Sequence, residues 1–534
     1  MDDHPVDIEQ FQSRRSTVYG QQGVVATSQP LAAQAGISIL QDGGNAFDAA
    51  VGTAAALNVV EPTSTGIGGD VFAMYRTADG EIGAMRSCGG APQDATIETI
   101  RDRMDGDNPS MPETGPHTVT VPGTARGWEQ TIEEFGILSM SDVLEPAIQY
   151  AIDGYPVSEV ISEQWKPAEK LFQTSHAKEA YLIDGRSPQV GEEIRLPRLG
   201  KSLAKIADEG ADVVYEGEIA EAIVNEVQEH GGVLSMNDMA SFEPEFIDPI
   251  STTYNGATVY ELPPNNQGPI ALEALNIAEE LDVGDYENET ERIHYLIEAM
   301  KHAFHDGHYY ITDPEYKEVP ALESKRWAQK RADRIESTAS DPTPQMIDSP
   351  AEDADTVLLT VADDEGNVVS YINSRFMGFG SGLVAGNTGI ALQNRGASFT
   401  LDPNHPNCLE PGKRPFHTLI PGLVQFDEND WAAFGVMGGY MQPQGHLQVL
   451  TNLIDQRQPL QQALDSPRWR YRSEGVISVE PEFPDEISIG LSRKGHNVRV
   501  DSTTAFGGAQ ISRYNDATLS AATEPRKDGN AQAY

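Results

Sequence analysis

The stretch "DADTVLLTVADDEGNVVSYINSRFMGFGSG" (residues 353–382) decides how this chain is read. An acidic, proline-containing linker, "STASDPTPQMIDSPAEDAD" (337–355), runs directly into Thr356. Val357 to Ala362 forms a strand-like run, Asp363-Asp364-Glu365-Gly366-Asn367 has the composition of a hairpin turn, and Val368 to Ile372 reads as the return strand. A glycine-rich loop closes the unit. A threonine that opens a buried strand after a linker is a candidate N-terminal nucleophile. It becomes catalytic once the preceding bond, Asp355–Thr356, is cut, because the freed α-amine then serves as general base for its own hydroxyl.

Further blocks lie on either side. Upstream are "QDGGNAFDAAVGTAAALNVVEPTSTGIGGDVFAMY" (41–75), "VPGTARGWEQTIEEFG" (121–136), "ELPPNNQGPIALEALNIAEEL" (261–281) and "IEAMKHAFHDGHYYITDPEY" (297–316). Downstream are "PGKRPFHTLIPGLV" (411–424), "GVMGGYMQPQGHLQVLTNLID" (435–455), "DSPRW" (465–469) and "AFGGAQ" (505–510). In content and order these blocks resemble the gamma-glutamyltransferase family of N-terminal-nucleophile hydrolases, over nearly the whole chain. The resemblance implies an α+β fold, a four-layer αββα sandwich with two packed antiparallel sheets. It also implies a loose tail over residues 1–20, a large subunit over 21–355 and a small subunit over 356–534, intertwined after self-cleavage.

Composition sets outer bounds. The 534 residues carry 37 basic and 82 acidic side chains, a formal net charge of −45, and no lysine precedes Lys166. This excess disfavours nucleic acid and anionic membranes as partners. Spread along the chain, it reads as a hydrated acidic surface suited to a high-salt cytoplasm. Two cysteines, Cys88 and Cys408, make no disulfide framework. No run of about 18 apolar residues occurs, and no apolar stretch follows Arg14-Arg15, so a cytoplasmic location is expected. Strand-like runs near 23–28, 70–78 and 81–87 surround an alanine-rich helical segment, 31–60. Helices are expected over much of 126–240, with Ser141 as a capping candidate, and near 290–308, 443–455 and 485–494.

The resemblance assigns roles residue by residue. Thr356 is the nucleophile, and self-cleavage at Asp355–Thr356 needs no cofactor or metal. Ser374 matches a hydroxyl residue that hydrogen-bonds the nucleophile's amine. Gly438 and Gly439 match the oxyanion-hole glycines, where successive N–H groups can converge only on a backbone that glycine permits. The substrate clamp departs from the γ-glutamyl pattern. The family's arginine position falls at Cys88, with Arg86 two residues away. Its asparagine position falls at Phe376, its glutamine at Arg395, its amine-binding aspartate at Ser398 and its paired serines at His417-Thr418. Arg395 and His417 suit an anionic group, and Ser398 offers an ammonium no counter-charge. The loop 399–413 is short for a lid. This pattern resembles the family's branch of amidohydrolases for small carboxylated amides, such as oxamate amidohydrolase.

The resulting expectation is a self-processing threonine amidohydrolase or acyltransferase acting on a small-molecule amide. Its two fragments stay together, and a homodimer fits the reading. True γ-glutamyl transfer or glutathione hydrolysis is the enzymatic alternative, and an inactive binding or structural relative is the other. Two motifs compete with this reading. His302, His305, Asp306 and His308 in "KHAFHDGHYY" resemble a metal site but match a structural helix end. "GIGGD" (66–70) resembles a phosphate loop but lacks the lysine and the third glycine that nucleotide binding needs.

Overall fold

The computed structural model describes residues 15–104, 110–340, 354–516 and 518–534. Two seven-stranded antiparallel sheets dominate. The first runs, in spatial order, Asn530–Ala533, Gly23–Thr27, Asp355–Asp363, Val368–Phe376, Asp70–Arg76, Ile82–Ser87 and Glu245–Ile247. The second runs Val18–Gly20, Thr518–Thr523, Gly508–Asn515, Asp430–Met437, Gly422–Asp427, Ala257–Glu261 and Ile250–Tyr254. Each sheet therefore takes strands from both sides of the Asp355–Thr356 bond.

Side-chain alternation explains the layering, because successive residues of a strand face opposite sides. Leu358, Ala362, Val368 and Ile372 point between the sheets, where they meet Leu423, Trp431, Ala433 and Met437. Val357, Leu359, Val361, Val369 and Tyr371 point outward and pack on Val51, Ala54 and Leu57 of the helix Ala46–Val60. On the far side Val424, Ala432, Phe434 and Val436 pack against the helices Gly268–Glu280, Glu289–Tyr310 and Met441–Ile454. Strands covered on both faces read as continuous apolar runs, as "TVLLTVA" does. This is the expected αββα sandwich.

The hairpin turn is tied down locally. Asp363 accepts from the Asn367 amide at 2.9 Å and from Asn367 Nδ2 at 2.8 Å, and Gly366 takes φ +93°. The Asp363 carboxylate also accepts from the Ala46 amide at 2.9 Å, satisfying a free N–H at the start of the helix Ala46–Val60.

Several elements differ from expectation. The alanine-rich segment is two helices, Pro30–Gln41 and Ala46–Val60, parted where Gly43 turns at φ +95° and Asn45 forms a capping box with Asp48. Ser139, not Ser141, caps the helix Met140–Asp153, again with a capping box, to Asp142. Residues 18–20 of the expected tail are an edge strand paired with Thr518–Thr523. Most of the linker, 341–353, lies outside the described residues, as do residues 1–14. No described helix is long and apolar enough to cross a membrane, and both cysteines are free and buried.

Candidate active site

Thr356 sits where the central hairpin loses its regular register. Asp355 pairs with Phe376 and Val357 with Asn373, so two residues, Ser374 and Arg375, lie opposite Thr356 alone. Such a bulge bends a strand and re-aims its side chains. Thr356 is 3 % exposed. Its Oγ1 donates to the Asp355 carbonyl at 2.7 Å and lies 3.5 Å from Ser374 Oγ. Ser374 Oγ donates to the same carbonyl at 2.8 Å and accepts from the Phe376 amide at 2.8 Å. Two hydroxyls thus converge on the carbonyl that precedes the candidate nucleophile.

A buried cation lies behind this pair. Arg395 opens the short 3-10 turn Arg395–Ser398 and is fully buried. Its Nη1 donates to Thr418 Oγ1 at 2.9 Å, its Nη2 to Ser374 Oγ at 3.4 Å, and its Nε has no partner. The guanidinium stacks 4.3 Å from the ring centre of Phe376, which holds φ +85°, a strained value for an aromatic residue. Among the described residues no carboxylate lies within ion-pair distance of Arg395. Burial lowers its pKa to about 10, against the pull of Asp70 and Cys88, so it stays cationic at neutral pH.

Asp70, at the head of the strand Asp70–Arg76, completes the cluster. One carboxylate oxygen accepts from Gln393 Nε2 at 3.0 Å and the Gly123 amide at 3.1 Å. The other lies 3.0 Å from His417 Nε2. The Leu419 amide donates to His417 Nδ1 at 3.3 Å, so the proton of the neutral ring sits on Nε2 and points at Asp70. Burial, with Arg395 and Arg86 nearby, holds the His417 pKa well below its usual value. Burial raises that of Asp70 to about 7, although Arg395, Gln393 and Gly123 oppose the shift. Burial likewise pushes the Cys88 thiol up to about 12, with Asp70 adding to the effect.

Gly438 and Gly439 leave the strand Asp430–Met437 at φ +114° and +55° and lead into the helix Met441–Ile454. Their carbonyls accept from the amides of Met441 (2.9 Å) and Gln442 (3.2 Å). Among the described residues neither glycine amide has an acceptor. Gln267 Nε2 donates to both the Thr418 and Gly439 carbonyls, at 2.7 and 2.9 Å, and so fixes the glycine turn to the wall that holds Arg395.

The fold therefore brings Thr356, Ser374, Phe376, Arg395 and Thr418 into direct contact, with His417 joined through Asp70 and the glycine pair through Gln267. Two expected clamp residues are engaged elsewhere. Arg86 is held by Glu245, at 2.9 Å from Nε and 2.6 Å from Nη2, and Glu245 also binds Arg414. The Ser398 hydroxyl lies 2.9 Å from the carbonyls of Arg395 and Phe416, where it braces the turn. Asp306 is ion-paired with Arg331, and His308 packs among Phe304, Phe416 and Tyr440. Sequence reasoning passed over Asp70 and Gln267. Asp70 closes the "GIGGD" motif, and an acid heading the apolar run Val71–Tyr75 was the available signal. Gln267 lies inside the block 261–281, where nothing in the sequence marks it apart from its neighbours.

An αββα sandwich with a threonine at the bulged head of a central strand defines the class of N-terminal-nucleophile hydrolases. Residues 32–534 match the gamma-glutamyltranspeptidase family, and the chain belongs to it. It is 38 % identical to the glutathione hydrolase-like YwrD proenzyme of Bacillus subtilis, over 96 % of this chain and 99 % of that one. It is 33 % identical to the oxamate amidohydrolase proenzyme of Klebsiella pneumoniae, over 96 % and 98 %. The crystal structure of cephalosporin acylase from Bacillus halodurans superposes with a TM-score of 0.90 at 41 % identity, covering 100 % of this chain and 99 % of that one. The chain is thus an enzyme of an amide-hydrolysing, acyl-transferring family.

Proposed function

We propose that the chain cuts itself between Asp355 and Thr356 and then hydrolyses, or transfers the acyl group of, a small amide whose acyl part carries a carboxylate and no α-ammonium. In processing, Thr356 Oγ attacks the Asp355 carbonyl carbon, the Asp355–Thr356 C–N bond gives way to an ester, and water hydrolyses the ester. In turnover the freed α-amine takes the Thr356 hydroxyl proton and Oγ attacks the substrate carbonyl. The Gly438 and Gly439 amides, which have no acceptor among the described residues, receive the oxyanion. The amine departs with a proton, and water or an acceptor amine resolves the acyl-threonine. The "proenzyme" names of the two sequence relatives support the processing step.

One observation carries the substrate class: Arg395 is a fully buried cation beside the nucleophile and, among the described residues, has a free Nε and no carboxylate in ion-pair range. A buried charge without a partner is costly, and a substrate carboxylate removes that cost. The oxamate amidohydrolase relative fits this reading. A second reading, γ-glutamyl hydrolysis, is favoured by Asp70, an acid in the same cluster that could meet an ammonium. The glutathione hydrolase-like relative fits that reading. Steady-state kinetics on a matched pair, glutaryl anilide and γ-glutamyl anilide, separate the two. We expect kcat/KM to favour the glutaryl compound by about tenfold or more. Equal or better γ-glutamyl turnover would overturn the carboxylate reading and install the second. We place the enzyme in a salt-rich cytoplasm on the strength of its −45 charge.

A further inference from the structure

Away from the nucleophile, two histidines and a glutamate meet in a buried seam. His294 and Glu298 lie one turn apart on the helix Glu289–Tyr310 and share a face. His496 reaches them from the loop after the helix Asp485–Arg493. One ligand atom from each lies within 4.8 Å of the other two. His294 Nδ1 and His496 Nε2 are 2.8 Å apart, and His496 Nε2 is 4.0 Å from Glu298 Oε1.

The hydrogen bonds fix the tautomers. His294 Nε2 lies 2.9 Å from the Glu336 carbonyl, which can only accept, so Nε2 carries the proton and Nδ1 a lone pair. His496 Nε2 must then donate to Nδ1. Among the described residues the buried Nδ1 of His496 has no partner, so it can take that proton when Nε2 is needed as a ligand. In this tautomer pair each ring carries one proton and is neutral, the state in which imidazole ligates metal.

We propose that His294, Glu298 and His496 form a binding site for one divalent transition-metal ion of the Zn²⁺ type, which fastens the segment 336–340 to the helix and the loop. Two imidazole nitrogens and a carboxylate oxygen are a borderline-soft set suited to Zn²⁺. The outer contacts expected of such a site are in place. The Glu336 carbonyl orients His294, and the Ser340 amide donates to Glu298 Oε2 at 3.2 Å. Tetrahedral zinc separates its nitrogen and oxygen ligands by about 3.4 Å. The histidine pair must open and the Glu298–His496 gap must close by comparable small amounts, within reach of side-chain rotation.

Lys301 competes for the same carboxylate. Its Nζ donates to Glu298 Oε1 at 2.7 Å and to the Ser340 carbonyl at 3.3 Å, and it lies 5.8 Å from the centre of the Tyr471 ring. A metal entering the site displaces the ammonium from Glu298 and leaves it the Ser340 and Tyr471 contacts. Lys301 thus sets the affinity. This supplies a signature that a plain histidine–histidine hydrogen bond lacks, because Lys301→Met should bind metal more tightly than wild type.

The test uses the full chain, stripped with EDTA, desalted and titrated with Co²⁺ and then Zn²⁺. Wild type should develop the visible absorption of low-coordinate Co²⁺, saturating near about one equivalent, and Zn²⁺ should abolish it and raise Tm. His496→Ala and Glu298→Gln should each weaken binding by about tenfold or more, and Lys301→Met should strengthen it. The wild-type spectrum stands even if a variant misfolds. Absence of a Co²⁺ band in both wild type and Lys301→Met would overturn the proposal. So would a band that His496→Ala leaves unchanged, which would mean a surface site.

Discussion

The hairpin that carries Thr356 and the clamp behind it are adjacent but built on opposite principles. In the hairpin nearly every requirement is met: alternating side chains fill two apolar layers, and the turn caps a helix through Asp363. In the clamp, Arg395 and Asp70 are buried with pKa values shifted toward neutrality, Arg395 Nε lacks a partner among the described residues, and Phe376 is strained. A framework minimises such costs, whereas a binding site keeps those that its ligand relieves. On the function proposed above, stability belongs to the hairpin and selectivity to the clamp, and each assignment can be broken separately.

The largest effect should come from the residue where the two regions meet. Thr356→Ala should remain one chain of 534 residues, while wild type resolves into fragments 1–355 and 356–534 by mass spectrometry. Its kcat should fall by about 10⁴-fold or more, as when other nucleophiles are removed. Its Tm should change little, because an alanine fits the same strand. An intact wild-type chain with full activity would end the N-terminal-nucleophile account.

Next in size is Arg395. Arg395→Gln should lower kcat/KM for glutaryl anilide by about 10- to 100-fold, the worth of a charge-assisted hydrogen bond. It should leave processing intact and raise Tm or leave it unchanged, since an unpaired buried charge is lost. Adding Ser398→Asp should shift preference toward the γ-glutamyl compound. A drop in Tm with no change in selectivity would make Arg395 part of the framework and erase the contrast.

The same contrast explains what the sequence disclosed. "TVLLTVADDEGNVVSYI" reads as a hairpin because burial on both faces writes continuous apolar runs and the turn writes its own residues. Thr356 and Ser374 were legible from the family's blocks around them. The state of Arg86 and Ser398 was not. Block position placed Arg86 near the clamp, but its partner Glu245 is 159 residues away in sequence. Nor did "GIGGD" disclose that its aspartate would meet His417, 347 residues later. Long-range polar pairing leaves no periodicity, so the hairpin was readable from its residues, the sandwich through the family resemblance, and the pairings of Arg86 and Asp70 from neither. The helix break at Gly43 and the cap at Ser139 are local features that a stricter reading of glycine and capping boxes would have caught.

A smaller effect should come from Asp70, through pH. Its folded-state pKa of about 7 exceeds the ordinary carboxylate value, so it favours folding when protonated. That contribution is complete below about pH 4 and is lost as pH rises through about 7. Glu61, raised to about 7 mainly by burial, acts in the same window. Asp70→Asn should therefore flatten, but not abolish, the fall in Tm between these limits. In activity, ionised Asp70 should oppose the anionic substrate proposed to bind at Arg395. The ratio of wild-type to Asp70→Asn kcat/KM for glutaryl anilide should decline about three- to tenfold as pH rises through 7, because titration of the Thr356 α-amine is common to both. A γ-glutamyl substrate should show the reverse trend.

The smallest effect, salt, probes whether clamp and surface are electrostatically separate. A net charge of −45 places most of the self-repulsion on exposed carboxylates. Screening acts on them strongly, because the Debye length falls from about 10 Å at 0.1 M salt to about 3 Å at 1 M. Tm should therefore keep rising as KCl goes from about 0.1 M to molar concentration, beyond the point where ordinary surface ion pairs are already screened. Arg395, Asp70 and His417 are fully buried, so mobile ions cannot approach them closely. The ratio of kcat/KM for glutaryl and γ-glutamyl anilides should then change by less than about twofold over the same range, even as Tm moves. A flat or falling Tm would remove the salt adaptation and leave the clamp untouched. A ratio that collapses toward unity in KCl would mean that substrate selection rests on the diffuse surface field, and Arg395 would lose its role as the selecting charge.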